Sequence, residues 1–114
     1  KIQTIFSKLE TVSDLYNLDS LLELLESSPN DPLLLLDIGT AYMARQAFAE
    51  AKTYLEKAYG INPGNIHILL NLAYTHIQMG DHDQAESLLE RCQQIDPSDP
   101  RIYAIYSHLF LDTW

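Results

Sequence analysis

The sequence predicts an all-α fold, an α-solenoid of antiparallel helix-turn-helix hairpins. Three observations predict it. Pro29, Pro63 and Pro97 fall 34 residues apart. Between them, apolar residues recur at the three- and four-residue spacing of a helix face. Helix-opening signals recur at the same interval, at Asp31-Pro32, Asn65 and Asp99-Pro100. A fixed period of this length means that one helical hairpin is used several times, each burying its stripe against the next.

Taken in order, residues 1–31 form a degenerate repeat. Ile2, Ile5, Phe6 and Leu9 supply an apolar stripe for a leading helix within residues 1–12. Leu18, Leu21, Leu22 and Leu25 supply one for a returning helix that stops before Ser27-Ser28-Pro29. The repeat 32–65 follows. Leu35, Ile38 and Tyr42 mark its leading helix, and Ala47, Ala51, Leu55, Ala58 and Tyr59 its returning helix. Gly60 is placed to stop that helix, and Pro63 prevents its continuation. In the repeat 66–99, Leu69, Leu72 and His76 form the leading stripe after the Asn65 cap. Gly80-Asp81 makes the turn, Asp81 with Gln84 has capping-box spacing, and Ala85, Leu88, Leu89 and Cys92 return. Residues 100–114 begin a third leading helix with Tyr103, Tyr106 and Phe110 and end at Trp114, where a turn is due. All four segments belong to one domain, 1–114.

Composition narrows the function. The 114 residues carry 16 acidic and 7 basic side chains, a net charge of −9. The basic residues are scattered, whereas phosphate backbones and anionic lipids require them clustered, so no nucleic-acid partner is expected. The apolar run Leu33 to Leu36 lies between Asp31 and Asp37 and is far too short to cross a bilayer, so no direct membrane insertion is expected. A lone cysteine, Cys92, excludes an internal disulfide and a Cys-rich zinc site and suits a reducing compartment, so the expected location is cytoplasmic. The chain opens on Lys1 without a signal-peptide pattern and reads as a piece of a longer protein.

These residues resemble the tetratricopeptide repeat family, whose pattern is W-x2-L-G-x2-Y, then A-x3-F, then P. The first full unit reads Leu35-x2-Ile38-Gly39-x2-Tyr42, then Ala51-x3-Leu55, then Pro63. The second reads Leu69-x2-Leu72-Ala73-x2-His76, then Ala85-x3-Leu89, then Pro97. The third start reads Tyr103-x2-Tyr106-Ser107-x2-Phe110. Small residues stand where two helices must approach closely, and large ones fill the remaining volume. Leu35, Leu69 and Tyr103 replace the family's Trp, and His76 replaces its Tyr, so the packing is individual to this chain.

The resemblance implies a concave groove lined by the leading helices. It should present Leu33, Leu36, Asp37, Thr40 and Met43 from the first full unit, then His67, Leu70, Asn71, Tyr74, Ile77 and Gln78 from the second. Arg101, Ala104, Ile105, His108, Leu111 and Asp112 follow from the third. One family branch grips the carboxylate at the end of chaperone tails with a clamp of Lys, Asn, Asn, Lys and Arg. Here Asn71 and Arg101 alone fill such slots, and Leu36 and Thr40 stand where a Lys and an Asn belong, so no clamp is expected. What remains suits an apolar or amphipathic peptide segment, with Asp37 available to a basic residue. The expected function is a protein-interaction module, as scaffold or assembly factor. The alternatives are a dedicated secretion-type chaperone for a client protein and a structural spacer or self-association element.

The aromatic residues Tyr103, Tyr106, Phe110 and Trp114 would be covered by a returning helix that the sequence does not supply. Either more of the parent chain covers them, or they mediate self-association into a homo-oligomer, or Arg101, His108 and Asp112 make the last helix polar enough to cap the stack. No catalytic, metal or cofactor role is expected. The sequence has no glycine-rich phosphate loop, and His67, His76, His82 and His108 make no paired metal spacing. Cys92 occupies a small-residue slot between helices and should behave as a buried hydrophobe. Lys52 and Glu56 are spaced for an ion pair on one helix.

Overall fold

The computed structural model describes residues 18–113, with side-chain surroundings through Leu111. The expected leading helix within residues 1–12 and the role given to Trp114 lie outside the described residues. Among the described residues six helices follow in order: α1 (residues 18–27), α2 (Pro32–Ala44), α3 (Phe48–Ile61), α4 (Ile66–Gln78), α5 (His82–Ile95) and α6 (Pro100–Thr113). No strand occurs among them.

Helix starts repeat with the period. The Asp31 carboxylate accepts from the Leu33 and Leu34 amides at 3.0 and 3.4 Å. Thirty-four residues on, the Asn65 side chain accepts from His67 and Ile68 at 2.9 and 3.3 Å. Asp99 accepts from the Arg101 amide at 2.9 Å. Each bond satisfies an amide that the first helical turn leaves without a partner.

The two hairpin turns also match. The Ala47 amide donates to the Tyr42 carbonyl at 2.9 Å, and the Asp81 amide to the His76 carbonyl at 2.8 Å. The residue before each, Gln46 at φ 60° and Gly80 at φ 84°, is left-handed. Glycine enters that region freely, whereas Gln46 holds it at a cost.

Two local expectations fail. The Asp81–Gln84 capping box does not form, because Asp81 has ψ 68° rather than the extended backbone that aims a cap oxygen at the helix. Its carboxylate lies instead 3.5 Å from His76 Nδ1. Gly60 does not stop α3. The helix runs through it to Ile61, and Asn62, at φ −133° and ψ 79°, breaks the run just before Pro63.

Packing produces two layers. α2 pairs with α3 and α4 with α5; α3 packs on α4, and α6 covers both α4 and α5. α2 also touches α4, so the leading helices α2, α4 and α6 lie side by side. The core follows the small-large pattern. Ala51, Leu55, Leu69, Ala73, Ala85, Leu89 and Cys92 are fully buried in one cluster, joined by Ile102 from α6. Leu35, Ala58 and Ile68 form a second cluster, and Leu18 joins Leu34 and Ile38 in a third that ties α1 to α2. At Gly39 the helices touch: a Cβ there would lie 2.6 Å from Leu55 Cγ. The expected Lys52–Glu56 pair forms at 3.7 Å on α3.

Candidate functional site

The leading helices enclose a cleft of about 340 Å³. Met43 of α2, Leu70, Asn71 and Tyr74 of α4, and Arg101, Ala104, Ile105 and His108 of α6 line it. The helical period puts Leu70, Asn71 and Tyr74 on one face, and the 34-residue repeat puts Ala104, Ile105 and His108 in the same register on the next helix.

The floor is apolar, from Leu70, Met43 and Ile105. Tyr74 and His108 make one wall, with ring centroids 5.4 Å apart and planes at 87°. The other end is polar and internally bonded. Arg101 Nε donates to both carboxylate oxygens of Asp99 at 3.0 and 3.2 Å, and Nη2 donates to Oδ2 at 2.6 Å. Arg101 Nη1 lies 2.9 Å from His67 Nδ1. A guanidinium only donates, so His67 accepts through Nδ1 and carries its proton on Nε2. Asn71 Nδ2 donates to the His67 carbonyl at 2.8 Å. The Asp99 carboxyl is held down at about 2, first by the Arg101 side-chain bonds and then by the Arg101 amide.

The sequence-predicted groove residues do not all meet. Met43, Leu70, Asn71, Tyr74, Arg101 and His108 share this cleft, and His67 joins it through Arg101. Asp37 and Thr40 line a separate cleft with Ser20, Leu21, Ala41, Ala44 and Arg45, between α1 and α2. Leu33 is exposed, Leu36 is half-buried against the core, and Gln78 is exposed at the end of α4. Ile77 is a correction. It is 1% exposed and belongs to the core, because α4 is packed by neighbours on several sides and buries eight of its thirteen residues. Leu70, 4% exposed, serves as floor rather than as a projecting contact.

Among the end-of-stack aromatics, Tyr103 is half exposed, and its hydroxyl donates to the Pro97 carbonyl at 2.7 Å. Tyr106 is half-buried against the core, stacks on Phe110 and reaches Gln93 Oε1 at 3.4 Å. Phe110 is 58% exposed. Sequence reasoning missed Asp99 as a partner of Arg101. The signal was present in Asp99-Pro100-Arg101, an acidic cap two residues before a basic one. His67 and His108 sit on adjacent helices but are engaged separately, and no metal-ligating group of three occurs among the described residues. Cys92 is fully buried, and burial pushes its thiol up to about 11, with Asp99 adding to the shift.

Stacked helical hairpins repeating every 34 residues define a helical-repeat protein. The chain belongs to the tetratricopeptide repeat family, whose model matches residues 42–109. It is 29% identical over 92 residues to the anaphase-promoting complex subunit CDC16 of Saccharomyces cerevisiae, a match covering 75% of this chain and 11% of that protein. The chain therefore spans about a tenth of that relative's length. Among solved structures it resembles the first TPR of Spaghetti (RPAP3) bound to the HSP90 peptide SRMEEVD, with a TM-score of 0.82. That match has 14% identity and covers 96% of this chain and 86% of the other. The likeness confirms the all-α solenoid. No helix among the described residues is long and apolar enough to cross a membrane.

Proposed function

We propose that the chain is a protein-interaction module that holds a mainly apolar or amphipathic peptide segment in the cleft formed by α2, α4 and α6, acting as a scaffold or assembly factor. The observation that carries this reading is the cleft itself: three successive leading helices contribute an open apolar floor beside a polar end. The structural neighbour's peptide and the repeat family support an interaction role. An apolar side chain of about 100 Å² entering the cleft gains roughly 2.5 kcal/mol at about 25 cal/mol per Å². Micromolar binding thus needs two or three such anchors, together with backbone contacts, once ordering costs are met. On this reading the protein is not an enzyme, takes no nucleic acid and works in the cytoplasm.

The test uses substitutions that leave the core alone. Tyr74→Glu and Ala104→Glu place charge in the cleft at positions that are not fully buried. A partner peptide selected on the native chain should bind each variant at least about tenfold more weakly, a loss of about 1.4 kcal/mol. Unchanged binding to both overturns the reading. Leu70→Glu is unsuitable, because burial makes it a folding defect.

A second reading, a structural spacer that self-associates through α6, is favoured by the exposure of Tyr103 and Leu111, 50% and 77%. Sedimentation equilibrium separates the two: concentration-dependent dimers abolished by Tyr103→Glu support it, and a monomer at high concentration removes it.

A further inference from the structure

Among the described residues, Arg101 is the one formally charged side chain lining the α2/α4/α6 cleft, and it is already engaged. Asp99, 8% exposed, holds it through three side-chain contacts of 2.6 to 3.2 Å. The carboxylate is itself fixed by the Arg101 amide at 2.9 Å, so the pair is built into the start of α6. The repeat shows that this arrangement is particular to the third unit. The three caps are Asp31, Asn65 and Asp99, and the residues two places on are Leu33, His67 and Arg101. Only the last combines an acidic cap with a permanent cation.

We propose that Asp99 is a specificity-determining residue: it occupies Arg101 as an incoming carboxylate would, so the cleft rejects acidic peptide tails and takes a segment that is uncharged or basic beside α6. This rests on the groove reading above and names the ligand class for it.

Of the five guanidinium N–H groups, Asp99 and His67 already take Nε and one on each terminal nitrogen. Two remain, but the pair they belong to is neutral. Asp99 already holds the Nε–Nη2 edge that a carboxylate would grip with two bonds, and its charge offsets part of the attraction to the two hydrogens left. The chain's net charge of −9 adds a long-range repulsion. Asn71, the other polar group at this end, spends one amide hydrogen on the His67 carbonyl. The depressed Asp99 carboxyl agrees with a charge that persists throughout the physiological range.

Asp99→Asn tests this, because asparagine keeps the capping oxygen, as Asn65 does, and removes the charge. Asp99→Ser is the second variant should the first fail to fold. Acetate, as a free carboxylate, is titrated while the Arg101 Nε–H signal is followed by NMR. Native protein should show no saturable shift, and the variant should show one. In parallel, the acidic peptide SRMEEVD is compared with an amidated analogue in which Gln and Asn replace its acidic residues. The affinity ratio of the acidic peptide to its amidated analogue should rise at least about tenfold in the variant. An equal acetate response in native and variant protein, or an unchanged ratio, overturns the proposal. If binding of the amidated analogue survives both Tyr74→Glu and Ala104→Glu, the groove reading fails, while the acetate response still decides the role of Asp99.

Discussion

Two glycines carry opposite expectations. Gly39 lies where α2 meets α3, and a Cβ would press on Leu55 Cγ at 2.6 Å and Cδ2 at 2.8 Å. Leu55 is fully buried and has little room to retreat. Gly39→Ala should therefore cost about 1–3 kcal/mol, the usual penalty for overpacking. Gly60 lies within α3, where an added Cβ would meet open space on an ordinary helical backbone. Gly60→Ala should add about 0.5–1 kcal/mol by restricting the unfolded chain. Urea denaturation of both variants checks the pair. Asp99 gives a pH signature. Its folded value of about 2 lies below the unfolded value of about 3.9, so its pairing stabilises fully above about pH 4 and is lost as pH falls through about 2. The stability difference between native protein and Asp99→Asn should shrink across that window and stay constant above it.

At the scale of the element, the caps should separate by position. Asn65→Ala removes bonds of 2.9 and 3.3 Å at the start of α4 and should cost about 1 kcal/mol. Asp81→Ala removes no cap bond, only the loose approach to His76, and should cost well under that. Thermal melts of the two variants give the comparison directly. The same contrast shows which parts of the elements are legible in sequence. Leading-helix caps are legible because Asp or Asn before a helix needs only local geometry. The Asp81–Gln84 spacing misleads because the turn from α4 leaves Asp81 with ψ 68°, and no residue pattern reports that angle. Gly60 misleads for a similar reason: glycine permits a stop, but Asn62 and Pro63 enforce it shortly afterwards. The groove is partly legible. Periodicity identifies the face of α4 that carries Leu70, Asn71 and Tyr74. It cannot show that Ile77, one turn on, lies under neighbouring helices, because burial depth depends on the lateral fit of several elements. The spacing in Asp99-Pro100-Arg101 permits the second role of Asp99, but whether the pair forms depends on the rotamer of Arg101.

At the scale of the molecule, the repeat explains why the cleft exists. Each hairpin satisfies its own interior first: Leu35, Leu69 and Leu89 are fully buried by neighbouring helices. Met43 of α2 and the facing residues of α4 and α6 are left lining an open cleft beside the stack. On the proposed reading, a binding surface is a by-product of stacking, and its specificity would reside in the few side chains that differ between units. Tyr74, Ala104, Ile105 and His108 set its shape, and the Asp99–Arg101 pair sets its charge. The most direct measurement is a backbone amide shift map recorded during titration with an amphipathic peptide selected on the native chain. The account predicts that the largest changes fall at Met43, Asn71, Tyr74, Ala104, Ile105 and His108 and vanish in Ala104→Glu. Changes centred on the outer faces of α3 and α5, unaffected by that substitution, would contradict it.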